Sequence, residues 1–501
     1  MKSKIWITSL LISIVILGGC STNSSDSDKN MEHSNMTQED MQMEDRTESD
    51  MENSHMSHND PLTLNDSTGE NDLIIPPVLE HEDDEGIVYN IEAQEGSTEF
   101  FDGYQTETYG YNGSFLGPVI RVNRGETVKI RTSNKLSDET TFHWHGLELP
   151  GEADGGPHQN LKSGESKIIE FKVDQEASTL WFHPHPEGKT SEQVYKGLAG
   201  LIYIDDENSK SLGLPSDYGV NDIPLIIQDK KFDDHKQLNY QKAKNEDGTI
   251  GDALLINGTL NPKLTVNNEK VRLRILNGSN ARNYTFKLST GNSFVQIATD
   301  GGFLNKPVTL NEITLTPSER AEIIVDFSGY DSASDVALIN EDETILLPFA
   351  INNQLIVSRN IPESLNDFAV TDEERNLPIS KKLELFGMGN MVTINGKQFD
   401  MERIDFTQKQ GVTEIWEIYN KPDMMGGMIH PFHIHGTQFK IISVDGIEPP
   451  ENEHGWKDTV AIQPGEKIKL AVKFKNKGIY MFHCHVLEHE DNGMMGQVKV
   501  E

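Results

Sequence analysis

The chain has 501 residues, of which 35% are hydrophobic and 7% aromatic, with 80 acidic side chains against 44 basic ones and a formal net charge of −36. That length holds roughly two to four domains, and the composition fills sizeable cores but not a membrane bundle. The charge excludes nucleic acid as a partner, because such a surface repels polyphosphate; it suits cations, or simply keeps the chain in solution.

At the N-terminus, Lys2 and Lys4 precede an apolar run over residues 5–17. The run is too short to span a bilayer comfortably and reads as a signal peptide over residues 1–19. It ends in Leu17-Gly18-Gly19-Cys20, which resembles a bacterial lipobox. That resemblance implies a lipidated Cys20, and so an exported protein anchored to a membrane surface of the bacterial envelope, outside the cytoplasm. Residues 20–71 are rich in Ser, Asn, Asp, Glu and Met and nearly free of aliphatic side chains. Such a stretch buries too little to order itself and is expected to be a disordered tether. It carries Met31, Met36, Met41, Met43, Met51 and Met56, with His33, His55 and His58 among them. Thioethers select Cu(I), while carboxylates and imidazoles accept Cu(II). Methionine is costly where oxidants are present, so the tether reads as a copper-collecting arm rather than a plain spacer.

From about residue 72 the texture is all-β: short alternating runs separated by Gly, Pro, Asn and Asp. Ile169, Phe171 and Val173 alternate with polar neighbours as a half-buried strand does. An internal repeat follows. Ser163-Gly164-Glu165, Pro317-Ser318-Glu319 and Pro464-Gly465-Glu466 each precede a strand pattern, at spacings of 154 and 147 residues. Arg124-Gly125-Glu126, Asn268-Glu269 and Gln410-Gly411 keep step with them, and Ile256-Asn257-Gly258 is echoed by Ile394-Asn395-Gly396. Three β domains of one fold, over residues 72–210, 220–375 and 376–501, account for the spacings.

Ten of the 17 histidines fall in four clusters: His143-Trp144-His145-Gly146, His183-Pro184-His185, His430-Pro431-Phe432-His433-Ile434-His435, and His483-Cys484-His485 with His489. Two clusters lie in the first repeat and two in the third. Scattered histidines are ordinarily solvated or satisfied in place, and this distribution is not scattered. Residues i and i+2 of a strand share a face, so each His-x-His aims two imidazoles at one point. In His483-Cys484-His485 the imidazoles face one way and the sulfur the other, so one strand can touch two metal centres. A thiolate, two imidazoles and a distant thioether form a blue-copper arrangement. Cys484, His489 and Met494 supply three members, and His430 is a candidate fourth. Structural zinc prefers four Cys or His ligands in a closed tetrahedron, which one cysteine among ten histidines fits poorly. Cys20 and Cys484 are not expected to form a disulfide, because each has a better use.

With its four clusters in order and at matching spacing, the chain resembles the multicopper oxidases over about residues 75–501. Residues 146–156, 197–200, 430–439 and 483–495 look most like the bacterial copper-tolerance oxidases. The resemblance implies three consecutive cupredoxin-like Greek-key β-barrel domains and four copper ions per chain. It implies a type 1 copper on His430, Cys484 and His489 with Met494 axial, and a type 2 copper on His143 and His433. His145, His183, His185, His435, His483 and His485 would hold a type 3 pair, between domains one and three, with domain two mainly a spacer. Asp154 and Glu490 match acidic residues that relay protons in resembling enzymes. A Cu(I) or phenolic donor would give electrons singly, and these would cross through Cys484 and its neighbouring histidines to reduce dioxygen. Asp423, Met424, Met425 and Met428 are candidates for a Cu(I) docking place, or else pack against domain three. The long Met/His-rich insertion of enteric relatives is reduced here to Phe386-Gly387-Met388-Gly389-Asn390-Met391, which opens the donor site to organic substrates. A laccase or Mn/Fe oxidase, and a copper-binding protein without turnover, are the alternative readings. A monomer is expected.

Overall fold

The computed structural model describes residues 61–62, 69–82, 86–245, 247–357, 359–424 and 426–501. Cys20, the methionines and histidines of the tether, and Met425 lie outside the described residues. Three β-sandwiches follow one another along the chain, each built on one repeated pairing. In the first, Ile87–Phe101 runs parallel to Thr127–Asn134, which is antiparallel to Ser166–Lys172. In the second, Asp222–Lys230, Lys270–Asn277 and Arg320–Asp326 repeat the arrangement. In the third, Ile379–Phe386, Glu414–Lys421 and Lys467–Val472 do so again. Parallel neighbours with an antiparallel strand beside them require crossing connections between two sheets, as a Greek key does.

The repeated sequence triplets are the turns that set up this pairing. Gly164, Ser318 and Gly465 take φ of 81°, 72° and 86°, just before the third strand of each set. Left-handed backbone is easiest for glycine, and the serine in domain two is the costlier solution. The Asn-Gly echoes are tight turns as well: Asn257 and Gly258, like Asn395 and Gly396, are consecutive positive-φ residues.

Each sandwich has its own apolar core. Tyr89, Ile130 and Phe171 are buried in the first, Leu273, Phe286 and Ile323 in the second, and Trp416, Phe432 and Phe482 in the third. Each such side chain contributes roughly 1.5–3 kcal/mol by leaving water. A further cluster of Leu116, Trp181, Tyr203, Ile226 and Leu276 joins domain one to domain two. Leu62, which falls in the expected tether, is buried in the core of domain two, and Asn71–Asp72 pairs with Pro262–Asn268. The stretch before domain one is therefore fastened to domain two at its end. Domains one and three meet through a backbone bond, Gly151 N–H donating to Lys477 O at 3.0 Å, and through the Tyr480 side chain, whose OH donates to Leu149 O at 2.7 Å.

Candidate metal centres

Two strand pairings assemble the histidines. In domain one His143 and His183 face each other across an antiparallel bridge, exchanging both backbone hydrogen bonds at 2.8 and 3.1 Å. In domain three His430–Ile434 pairs with Gly478–Cys484, placing His433 opposite His483 and Phe432 opposite Cys484. Side chains alternate across a strand. Phe432, Ile434 and Cys484 therefore point into the core of domain three. His433 and His483 point the other way, where they meet the histidines of domain one.

Eight imidazoles gather there, all buried: His143, His145, His183, His185, His433, His435, His483 and His485. Ring centroids lie 3.7 Å apart for His143 and His435 and for His145 and His433, and Nε2 of His483 is 3.1 Å from that of His435 and 3.4 Å from that of His185. Burial drives His145, His183, His185, His433, His435 and His485 well below the usual imidazole range, and His483 down to about 3. Burial therefore favours the neutral form of these seven rings, which leaves one lone pair on each.

The hydrogen bonds show which nitrogen is free. Nδ1–H donates to a carbonyl in His143 (Asp154 O, 3.0 Å), His183 (Pro184 O, 2.9 Å), His433 (Asp458 O, 2.7 Å) and His483 (Cys484 O, 3.0 Å). His435 Nδ1 donates to Asp154 Oδ2 at 2.8 Å, and His145 Nε2 to Asp458 Oδ1 at 2.9 Å. The opposite nitrogens of His143, His145, His183 and His433 are buried without a hydrogen-bond partner, as are both nitrogens of His485. Buried polar atoms are rarely left unpaired. Neutral imidazoles anchored outward through one N–H, with the other nitrogen unmet, are what metal ligation needs.

The second site lies on the other face of the same strand. Cys484 Sγ is 3.4 Å from His430 Nδ1 and 3.8 Å from His489 Nδ1, and all three residues are buried. Met494 is fully buried in the same core, tied to the loop by its N–H to His489 O at 2.8 Å and its carbonyl to Cys484 N–H at 3.1 Å. Burial pushes the Cys484 thiol up, so a thiolate here needs a cation beside it.

Multicopper oxidase family models match residues 92–209, 222–336 and 372–501, in step with the three sandwiches. "Multicopper oxidase mco" of Staphylococcus aureus is 52% identical over 439 residues, covering 87% of this chain and 94% of that protein. The chain belongs to the multicopper oxidases. A crystal structure of a laccase from Pediococcus acidilactici is 43% identical with a TM-score of 0.83, covering 86% of this chain and 94% of that one. "Cell division protein FtsP" of Escherichia coli is 34% identical over 458 residues, covering 88% of this chain and 95% of that protein. Family membership implies copper, and the donor atoms just described fit it: soft sulfur and imidazole in one site, imidazole alone in the other.

Both carboxylates singled out in the sequence of this multicopper oxidase stand against the histidines. Asp154 Oδ2 bonds His435 and lies 3.6 Å from His143 Nδ1, while its Oδ1 is buried without a partner. Glu490 Oε1 lies 3.3 Å from His185 Nε2 and Oε2 3.3 Å from His483 Nδ1. Burial pushes the Glu490 carboxyl well above its usual range, with Asp491 adding to the shift, which favours its protonated form.

Two acids that matter were not singled out in the sequence. Asp458 holds His145 through its side chain and His433 through its carbonyl. Glu488, one residue before His489, accepts from Thr249 N at 3.0 Å, Thr249 Oγ1 at 2.5 Å, Asn280 Nδ2 at 2.9 Å and Tyr240 OH at 3.2 Å. Thr249, Asn280 and Tyr240 belong to domain two. The expectation that domain two is mainly a spacer is therefore corrected: it lacks ligand histidines but grips the helix that carries His489. No local motif announces either acid, since the partners that give them their meaning, His145 and Arg320 for Asp458 and Tyr240 for Glu488, lie about 140 to 310 residues away. Of the two readings of Asp423, Met424, Met425 and Met428, docking or packing, packing holds for Met428. Met428 is buried in the core of domain three, whereas Met424 is fully exposed.

Proposed function

We propose that this multicopper oxidase oxidises Cu(I) or a phenol one electron at a time, reduces dioxygen to two waters, and serves copper tolerance. One observation carries the reading: two donor constellations stand on opposite faces of a single strand end, joined through the adjacent residues His483, Cys484 and His485. His430, Cys484, His489 and Met494 would hold the type 1 ion, and His143 and His433 the type 2. His145, His183, His185, His435, His483 and His485 would hold the type 3 pair. Copper bound in these sites supplies one-electron redox chemistry between the donor and dioxygen.

The chain's own part is to orient, to dry and to protonate. Outward N–H bonds fix six of the cluster's rings, and complete burial keeps bulk water away. Glu490 holds a proton at a carboxyl in reach of His185 and His483, and Asp154 keeps one buried oxygen uncommitted, so each is placed to relay protons by general acid catalysis. Glu490→Gln is expected to slow turnover by about 100-fold while the blue absorbance stays intact. Unchanged oxygen uptake would remove Glu490 from the relay.

The test of the whole reading is copper counting with absorption spectra and oxygen uptake on the purified, metal-loaded protein. An intense band near about 600 nm, about four coppers per chain and oxygen consumption are expected. A second reading, a copper-binding protein without turnover, would be supported by blue colour without oxygen uptake. Exposed Met424 and the tether thioethers favour Cu(I) as donor over a phenol, Mn(II) or Fe(II). Removing residues 21–60 should then impair Cu(I) oxidation more than phenol oxidation. Export and lipidation at Cys20 belong to the same proposal and rest on the lipobox pattern; labelling with a fatty-acid analogue, lost in Cys20→Ala, tests them.

A further inference from the structure

Asp458 is fully buried and its carboxylate is crowded with donors. Oδ1 accepts from His145 Nε2 at 2.9 Å, Arg320 Nη1 at 2.7 Å and Thr459 Oγ1 at 3.0 Å. Oδ2 accepts from Arg320 Nη2 at 2.5 Å and Gln438 Nε2 at 2.8 Å. Geometry alone groups Asp458 with His145 and His433 as a possible metal-holding set. Its acceptor capacity is already filled, however, and His145 meets it with the nitrogen opposite its unpaired one. Asp458 is thus an orienting acid, not a ligand.

Arg320 comes from domain two and is itself fully buried. A guanidinium has five N–H donors in a rigid fork, and all five are met. Nε donates to Thr179 O at 3.1 Å, Nη1 to Ser318 O at 2.9 Å and to Asp458 Oδ1, and Nη2 to Asp300 O at 3.2 Å and to Asp458 Oδ2. These acceptors belong to all three domains. The fork is packed against the histidine motif of domain one as well. A Cβ on Gly146, whose φ is +89°, would stand 2.6 Å from Asp458 Oδ2 and 3.1 Å from Arg320 Nη2. The residue after His145 therefore has room for a hydrogen only.

We propose that Arg320 is a positioning residue of the histidine cluster: by clamping Asp458 it fixes the rings of His145 and His433, so that domain two completes a metal centre to which it gives no ligand. The inference rests on the ligand reading above. Asp458 sets the tautomer of His145, Nε2–H outward and Nδ1 bare, and its carbonyl does the converse for His433. A bidentate fork holds both the plane and the depth of that carboxylate; an ammonium would hold only its charge.

The experiment is a chelator challenge of the copper-loaded protein, following copper per chain, the blue band, and the electron paramagnetic resonance signal of the non-blue type 2 ion. Arg320→Lys keeps the charge and loses the fork. The pair Arg320→Gln with Asp458→Asn removes both charges, so neither is left buried alone. Both are expected to keep the blue band. Both should release non-blue copper at about 10–100-fold lower chelator concentration, the usual cost of losing an outer partner, with an altered type 2 signal. Non-blue copper held as tightly as in the unaltered protein, with an unchanged signal, would overturn the proposal. So would loss of the blue copper along with the rest, since the pair would then hold the fold and not the site. If the unaltered protein bound no non-blue copper, the ligand reading itself would have failed.

Discussion

Cys484→Ser is expected to abolish the blue band and to bring donor-driven oxygen uptake to background, with about one copper lost per chain and the remainder retained. The sulfur is the only soft anion among the ligands of the described sites, and the intense colour of such a site comes from charge transfer out of thiolate. A serine oxygen has nearly the same shape but neither that transition nor that covalency. The fold should survive the change. Cys484 is buried beside Phe432, Phe482 and Met494, and a hydroxyl there costs about 1–3 kcal/mol when poorly bonded, with His430 Nδ1 at sulfur distance available as a partner. The histidines on the opposite face keep their outward hydrogen bonds, none of which uses Sγ. Copper analysis and the spectrum of the purified variant check this. A variant that stayed blue would show that the cysteine is not the ligand, and one that lost all its copper would show that the two faces are not separable.

Much of this was legible in the sequence because the determinants are local. Alternation within His483-Cys484-His485 assigns faces before any fold is known, and the structure shows sulfur toward the core of domain three and imidazoles toward domain one. The triplet repeat was legible because each copy contains the residue that must turn left-handed, Gly164, Ser318 or Gly465. What stayed hidden is long-range. Asp458 follows an unremarkable Trp456-Lys457, and its meaning comes from Arg320 and His145, one in each of the other domains. Glu488 sits inside a motif that was read for its histidine, and its four donors come from domain two. Met428 stayed undecided for a related reason. A methionine near a metal motif reads equally as ligand or filler, and only the depth of Phe432 and Ile462 around it decides for filler. Domain two was undervalued because a lack of histidines says nothing about hydrogen bonds to other residues' ligands.

Stripped of copper, the protein is expected to lose stability steeply as the pH falls from about 6.5 toward 3, a loss that added copper postpones to lower pH. The sign follows from linkage. Seven buried histidines have folded values below their unfolded value near about 6.5, including His483 at about 3. Between those limits the unfolded chain binds protons that the native chain refuses, so stability rises with pH across the window. It is complete above the unfolded value and gone below the folded one. For His483 alone the difference is on the order of 5 kcal/mol at about 1.4 kcal/mol per unit. Some buried acids pull the other way. Asp300 is held up to about 7 by burial, and Glu490 is raised as well; such groups lose stability as the pH rises through their folded values. They are fewer than the histidines, and Lys457 and Arg320 offset part of the cost at Asp300, so the histidines set the sign. Copper binds the same lone pairs that protons would take, and at 100 times its dissociation constant it adds about 2.7 kcal/mol per site. Urea unfolding of the copper-free protein at pH 7.5 and 4.5 reads the effect directly. Equal midpoints would mean that these imidazoles are not held neutral by the fold, and the case for a preformed metal cluster would go with them.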